Sequence, residues 1–302
     1  VSEPAYELHE VTKSFKGKET PVNDRISLTI ARGEFFGLLG SNGAGKSTLI
    51  KQMVGLLRSD SGAVRFLGRP VPGNHAFTST RLGYMPQSAF ALNNLTVAEA
   101  LYYTAHLRGT PTREARRQRD ELVERLELVP LRGKVARQLS GGERRLLQLA
   151  VALVTDPPVI ILDEPTNELD PARRRQVWAL LREANRERGR TIVLITHNAL
   201  EAEQVIERVG IMSGGRMVAL GRPGELKSRV AGSFRLDVTF REEGGRALPD
   251  YVVVESRHRD RVTAHVAAAD VARLTADLAP ESVLEFRLQS ATLEDVYLDH
   301  VR

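Results

Sequence analysis

The sequence contains no cysteine. That removes disulfide frameworks, cysteine nucleophiles and Cys-ligated zinc, and leaves composition silent on redox compartment. Long apolar runs are also missing: nowhere does an uninterrupted stretch approach the roughly 18 residues that a membrane-spanning helix needs. The first ten residues are polar and mildly acidic, without the basic and then apolar regions of a secretory signal. No segment is therefore expected to span a bilayer. Proline and glycine, 14 and 24 of 302 residues, are too few for a collagen-like or wholly disordered chain. The length allows one large or two ordinary domains with a sizeable core.

Lysine is absent from residues 233–302, where 9 Arg stand against 13 acids. The chain as a whole carries 43 basic and 38 acidic residues, so its first part is the basic one and favours an anionic partner. Nucleotide, nucleic acid and a lipid surface all qualify. The hydrophobic pattern changes at the same place. Before residue 230, short apolar runs at 35–39, 159–162 and 191–195 alternate with helical stretches that start at Lys46, after Pro171 and at Leu200. This is the rhythm of a parallel sheet covered on both faces. Residues 97–108, 113–126 and 142–154 have helical periodicity with no convincing strand between them, which predicts a helical subdomain inserted at about 88–154. After the boundary, Phe234, Leu236, Val238 and Phe240 alternate with polar residues, as in a half-buried strand. Further strands are expected at 251–254, 262–266 and 283–288, with helices at 270–278 and from Thr292. Two domains follow, 1–230 and a small α+β unit at 231–302.

The sharpest motif is Gly40-Ser41-Asn42-Gly43-Ala44-Gly45-Lys46-Ser47-Thr48, between an apolar strand and a helix. It fits the P-loop template in the context that template requires. Its glycines let backbone N–H groups cradle phosphate oxygens, and the helix N-terminus adds a favourable dipole. Lys46 supplies a point charge near the β- and γ-phosphates, and the Ser47 hydroxyl is placed to ligate Mg²⁺. Two more apolar strands end in polar residues, 159–162 delivering Asp163 and Glu164 and 191–196 delivering His197. The carboxyl ends of parallel strands are where ligands sit. One carboxylate can then hold the metal's water shell while the next activates water for attack on the γ-phosphate, with His197 as a hydrogen-bonding partner.

Leu139-Ser140-Gly141-Gly142-Glu143, ahead of a helix and before Asp163, resembles the LSGGQ signature of ABC ATPases, which P-loop proteins in general lack. The other elements of that family follow in order. Gln87 in Gly83-Tyr84-Met85-Pro86-Gln87 looks like the Q-loop, Asn167-Glu168-Leu169-Asp170 the D-loop and His197 the H-loop, while Phe15 looks like the aromatic residue that stacks on adenine. The resemblance covers residues 5 to about 227. It implies an α/β P-loop NTPase fold with a helical subdomain, ATP and Mg²⁺ as ligands, and a head-to-tail pair of such domains. Ser140, Gly141 and Gly142 of one would close over ATP held by Lys46, Ser47 and Thr48 of the other. It further implies that Gln87 joins Ser47 and Asp163 at Mg²⁺, that Glu164 is the catalytic base and that His197 contacts the γ-phosphate.

Ser41 stands where Pro is common, Glu143 replaces the usual Gln, and Glu168 replaces a frequent Gly or Ala. The ending Ser290-Ala291-Thr292-Leu293-Glu294-Asp295-Val296-Tyr297-Leu298 is similar to that of ATPase subunits of daunorubicin-resistance-type exporters, and it also reads as an amphipathic helix docking by Leu293, Val296 and Tyr297. The implied function is ATP hydrolysis by a subunit that pairs with a second copy or a paralogous ATPase. That pair would drive a separate transmembrane permease from the cytoplasmic face of the membrane and export a drug-like or lipid-like molecule. A groove near Gln87, Phe90, Leu92 and Tyr103 would receive a short permease helix. Two alternatives stay open: a soluble ABC ATPase acting on nucleic acid or the ribosome, suggested by the basic first part, and an importer subunit with a regulatory tail. The Arg pairs and runs at 116–117 and 173–175 read as solvated helix faces, so no nucleic-acid partner is expected.

Overall fold

A computed structural model of the chain describes residues 3–87, 92–196, 203–230, 233–241, 248–278, 282–290 and 292–301. They form two compact units, Val1–Leu220 and Gly221–Arg302.

In the first unit, β1 (Tyr6–Lys13) and β2 (Asn23–Ile30) pair antiparallel. In β2, Ile26, Leu28 and Ile30 are buried while Ser27 and Thr29 face out, the period-2 alternation of a sheet with one dry face. β3 (Phe35–Gly40) leads into α1 (Lys46–Met53), and β4 (Ser61–Phe66) and β5 (Arg69–Pro70) extend the first sheet in the order β2-β1-β4-β5. Helix α2 (His75–Arg81) precedes β6 (Leu82–Met85). The described residues between β6 and β7 (Val159–Asp163) carry helices and no strand: α3 (Val97–Leu107), α4 (Thr112–Arg125), two short 3-10 turns and α5 (Gly141–Leu153). Capping boxes start two of these helices. Thr96 and Glu99 exchange side-chain and backbone hydrogen bonds at α3, as Ser140 and Glu143 do at α5.

After β7 come α6 (Pro171–Arg186), β8 (Thr191–Ile195), β9 (Arg208–Ser213) and β10 (Arg216–Gly221). The second sheet has the order β10-β9-β3-β8-β7-β6, and β9, β3, β8, β7 and β6 run parallel. Every residue of β7 and β8 is buried, as expected for central strands covered on both faces. The helix expected from Leu200 begins outside the described residues.

The second unit starts with α7 (Pro223–Val230), followed by β11 (Ser233–Phe240), β12 (Val252–His258), β13 (Arg261–Ala267), α8 (Val271–Asp277), β14 (Val283–Gln289) and α9 (Leu293–Val301). Its four strands pair antiparallel in the order β12-β13-β11-β14. Leu236, Val238, Phe240, Val262, Ala264, Val266 and Leu274 form its core. Helix α7 packs on α9 within this unit, so the division of the chain falls ahead of the composition change near residue 230. Leu293 and Val296 are buried and Tyr297 is half-buried, and Thr292 and Asp295 cap the helix reciprocally.

Tyr6 is fully buried against Phe66, and its hydroxyl donates to the Met53 carbonyl at the end of α1 over 3.2 Å. Tyr6→Phe keeps the packing and leaves that buried carbonyl without this donor. It should lower the stability of the first unit by about 1 kcal/mol, read as a lower midpoint for its urea transition; an unchanged midpoint would mean that the bond contributes nothing.

Candidate active site

The P-loop is set by its backbone. Gly45 stands at φ 101, and a Cβ there would lie 2.4 Å from the Val22 carbonyl oxygen and 2.6 Å from Asn23 Nδ2. No other residue fits so close to the start of β2. The fully buried Asn23 holds this approach by donating from Nδ2 to the Gly45 carbonyl over 3.1 Å. Lys46 turns its ammonium back over the loop, donating to the carbonyls of Gly40 (2.6 Å) and Ser41 (2.9 Å). Burial pulls its pKa below the usual lysine value, and the carboxylates of Glu164 and Asp163 act against that pull.

A cavity of about 490 Å³ lies over this loop, lined by residues 42–48, by Gln87, Asp163 and Glu164, and by Lys18 and Val22. These groups come from three parallel strand ends. The P-loop follows β3, Gln87 lies just past β6, and Asp163 closes β7 with Glu164 beyond it. Thr196, just past β8, joins them from behind. Its hydroxyl donates to Glu164 Oε2 over 3.1 Å. His197 lies outside the described residues, as does Phe90. Phe15 is 43% exposed, with Lys13 Nζ 5.7 Å from its ring centroid, so a ring face is open to a planar ligand.

Asp163 and Glu164 are both buried. Burial pushes the Asp163 carboxyl up to about 6, helped by the neighbouring Glu164 and opposed by Arg145 and Lys46. Glu164 has a left-handed backbone at φ 55, with its N–H donating to the Ile195 carbonyl over 2.8 Å. Among the described residues no cluster of three His, Cys, Asp or Glu side chains could hold a metal ion by itself. One carboxylate, a hydroxyl and an amide oxygen beside a phosphate cradle are nonetheless the donors that suit Mg²⁺, which keeps waters and shares phosphate oxygens.

The signature residues stand apart from this cavity. Ser140 is the N-cap of α5, and Ser140 and Gly141 are exposed. Glu143 folds back on its own helix start, accepting from the Ser140 N–H (2.8 Å) and pairing with Lys134 (3.5 Å). It is thus neutralised by its own helix start and by Lys134. Glu168 stands at φ 64, with its carboxylate so near Gly141 that a Cβ there would meet Oε2 at 2.1 Å. An acid is favoured at that helix terminus.

Sequence reasoning did not anticipate Thr196, Asn23 or Arg145 at the site. Arg145 is 6% exposed and reaches the main chain beside both Glu164 and Gln87. A charged residue at a position where α5 turns its face inward was the available signal.

Residues 23–167 match the ABC transporter family. The chain is 36% identical to the Nod factor export ATP-binding protein I of Rhizobium meliloti, over 97% of its own length and 87% of that protein's. It is 39% identical to the daunorubicin resistance ATP-binding protein DrrA3 of Streptomyces coeruleorubidus, over 73% of its own length and 69% of that protein's. Against the retinal-specific phospholipid-transporting ATPase ABCA4 of Bos taurus it is 33% identical, and 98% of the chain spans only 14% of that protein. Among solved structures, the dimeric ATP-binding cassette MJ0796 in its post-hydrolysis state with ADP and phosphate has a TM-score of 0.68 at 25% identity. That match covers 72% of this chain and 98% of the cassette. The fold and the phosphate site define an α/β P-loop ATPase. The chain belongs to the ABC transporter family and has the fold of its ATP-binding cassettes.

The Asp163 shift has a definite sign. With a carboxyl at about 6 in the folded chain against an ordinary 3.8, folding takes up a proton between those values, so this group favours the folded state most below about pH 4 and the favour is lost as pH rises through 6. In nucleotide-free, Mg²⁺-free buffer at pH 8, Asp163→Asn should be more stable than the parent by on the order of 1–3 kcal/mol, with the gap closing toward pH 4. Thermal midpoints across that range check this, and a difference that stays constant with pH would contradict it.

Proposed function

We propose that the chain is the motor subunit of an ABC exporter, closing head to tail with a second copy or a paralogous ATPase around two molecules of MgATP and driving a separate membrane permease. One observation carries the reading. The start of the signature helix is exposed and lines no part of the chain's own phosphate cavity, so Ser140, Gly141 and Gly142 are free to complete the cavity of another subunit.

In that cavity, Lys46, Ser47, Thr48 and the backbone N–H groups of Gly40 to Gly45 hold the phosphates, and the Phe15 ring stacks on adenine. Ser47, Gln87 and Asp163 hold Mg²⁺, which when bound neutralises charge on the phosphates. Glu164 takes the proton of the attacking water, with its carboxylate oriented by the Thr196 hydroxyl. His197 contacts the γ-phosphate. The second subunit's signature donors then close over the same phosphates at a helix N-terminus.

Export is favoured by the likeness to the Nod factor export ATP-binding protein, and the likeness to a daunorubicin resistance ATP-binding protein and a phospholipid-transporting ATPase bears on the cargo. The cargo class is drug-like or lipid-like, and the daunorubicin-type ending at 290–298 is one branch within it. No helix among the described residues is long and apolar enough to cross a membrane. The exporter reading itself places the chain at the cytoplasmic face, held there by the permease. A docking surface fits on α3, where Tyr103 and Leu107 are 45% and 84% exposed one turn apart, with Gln87 and Leu92 as further members.

Glu164→Gln keeps the shape and removes the base, so turnover should fall roughly 10²- to 10⁴-fold while ATP binding survives. A stable ATP-dependent dimer should then appear on size exclusion, and adding Ser140→Arg should abolish it. A dimer that persists in the double variant would refute closure through the signature. Because the chain has no native cysteine, Asn93→Cys supplies a single thiol beside the α3 surface. It should crosslink to loops of a polytopic protein in membranes, whereas crosslinks confined to ribosomal or nucleic-acid partners would overturn the transporter reading.

A further inference from the structure

Arg145 is a charged side chain in the dry layer between α5 and the sheet. All three of its guanidinium nitrogens donate, and most of the acceptors are main-chain carbonyls. Nε and Nη2 reach the Glu164 carbonyl over 3.1 and 2.6 Å, and Nη2 also meets the Asp163 carbonyl. Nη1 reaches the Pro86 and Gln87 carbonyls over 3.2 and 3.1 Å and the Gln148 side-chain oxygen over 2.9 Å. Taking a guanidinium out of water costs several kcal/mol unless its donors are met, and here they are met by two separate loops.

Those loops carry Glu164 and Gln87. Glu164 stands in a left-handed conformation that costs a non-glycine residue about 1–2 kcal/mol, so its geometry persists only because neighbours impose it. Its N–H is fixed by the Ile195 carbonyl and its carbonyl by Arg145, so both polar ends of its backbone are tied. The side chain is thereby aimed into the cavity, where Thr196 orients the carboxylate. Arg145 itself sits one turn into α5, the helix that begins at Ser140 and Gly141. The signature start and the clamp on Glu164 are therefore parts of one rigid helix.

We infer that Arg145 is a positioning residue for hydrolysis, holding the main chain at Glu164 and Gln87 in register with the signature helix. The base is then correctly aimed when α5 is seated against the sheet edge, and any force that shifts α5 is felt at Glu164 through this guanidinium. A displacement of about 1 Å is enough to cost on the order of 10²-fold in rate. The inference rests on the reading of Glu164 as base, and the test separates the two.

Arg145→Lys keeps the charge and loses the fork that spans both loops. It should lower kcat for ATP about 10- to 100-fold with the KM for ATP and the ATP-induced rise in thermal midpoint within threefold and 2 °C of the parent, changes on the scale of simple positioning. Combined with Glu164→Gln, the same substitution should lower the residual single-turnover rate by less than about twofold, because a residue that acts through Glu164 has nothing left to position. An unchanged kcat in Arg145→Lys would overturn the inference, as would an equal fold-loss in the two backgrounds. If Glu164→Gln alone leaves turnover intact, the base assignment fails, whatever Arg145 does. Should Arg145→Lys not fold, Gln148→Leu loosens the guanidinium while leaving it in place. A three- to tenfold fall in kcat at constant KM then supports the inference, and no fall overturns it.

Discussion

Parallel strands cannot be joined by hairpins, so each of β3, β8, β7 and β6 must be returned by a crossover and all four finish on one edge of the sheet. The site follows from that constraint. Residues distant in sequence, the P-loop, Gln87, Glu164 and Thr196, meet because each lies just past a strand end, and the sheet supplies the rigidity that holds them to hydrogen-bonding distance. The apolar, fully buried β7 and β8 are what allow two carboxylates to be held out of water beside a phosphate cradle.

Burial is also what gives the site its electrostatic character. Desolvation drives Asp163 up and Lys46 and Arg145 down, each toward its neutral form, while the opposite charges nearby act against that trend. Lys46 and Arg145 thus share one dry region with Asp163 and Glu164, and the opposite charges offset part of the pull that burial exerts. A polyanionic ligand with its divalent cation adds a further pair of opposite charges to this arrangement. The left-handed backbone at Glu164 and Glu168 belongs to the same region, strain being tolerated where the surrounding contacts over-determine the conformation.

The α5 helix joins two faces that do different work. Its start is exposed and capped by its own Ser140 and Glu143, available to another subunit. Its inward face carries Arg145 against the backbone of Glu164 and Gln87. Past its first turn the helix is buried nearly all round, with Leu146, Leu147, Gln148, Leu149, Ala150, Ala152 and Leu153 covered, and the arginine is accommodated there because backbone carbonyls need donors.

Much of this was legible in the residues themselves. Glycine spacing between an apolar strand and a helix specifies a phosphate loop through backbone geometry alone, and apolar runs that deliver Asp163 and His197 announce strands whose tips carry chemistry. The helical insert and the four-stranded tail could be read from periodicity because local burial patterns repeat along a chain. What sequence could not supply were contacts that depend on which strands become neighbours. The order β3-β8-β7-β6 brings Thr196 onto Glu164, the approach of β2 to Gly45 brings in Asn23, and the seating of α5 makes Arg145 a buried clamp. Hydrophobic periodicity is a property of one element and is written locally. A hydrogen bond between elements is a property of their packing, and only the tertiary structure decides it.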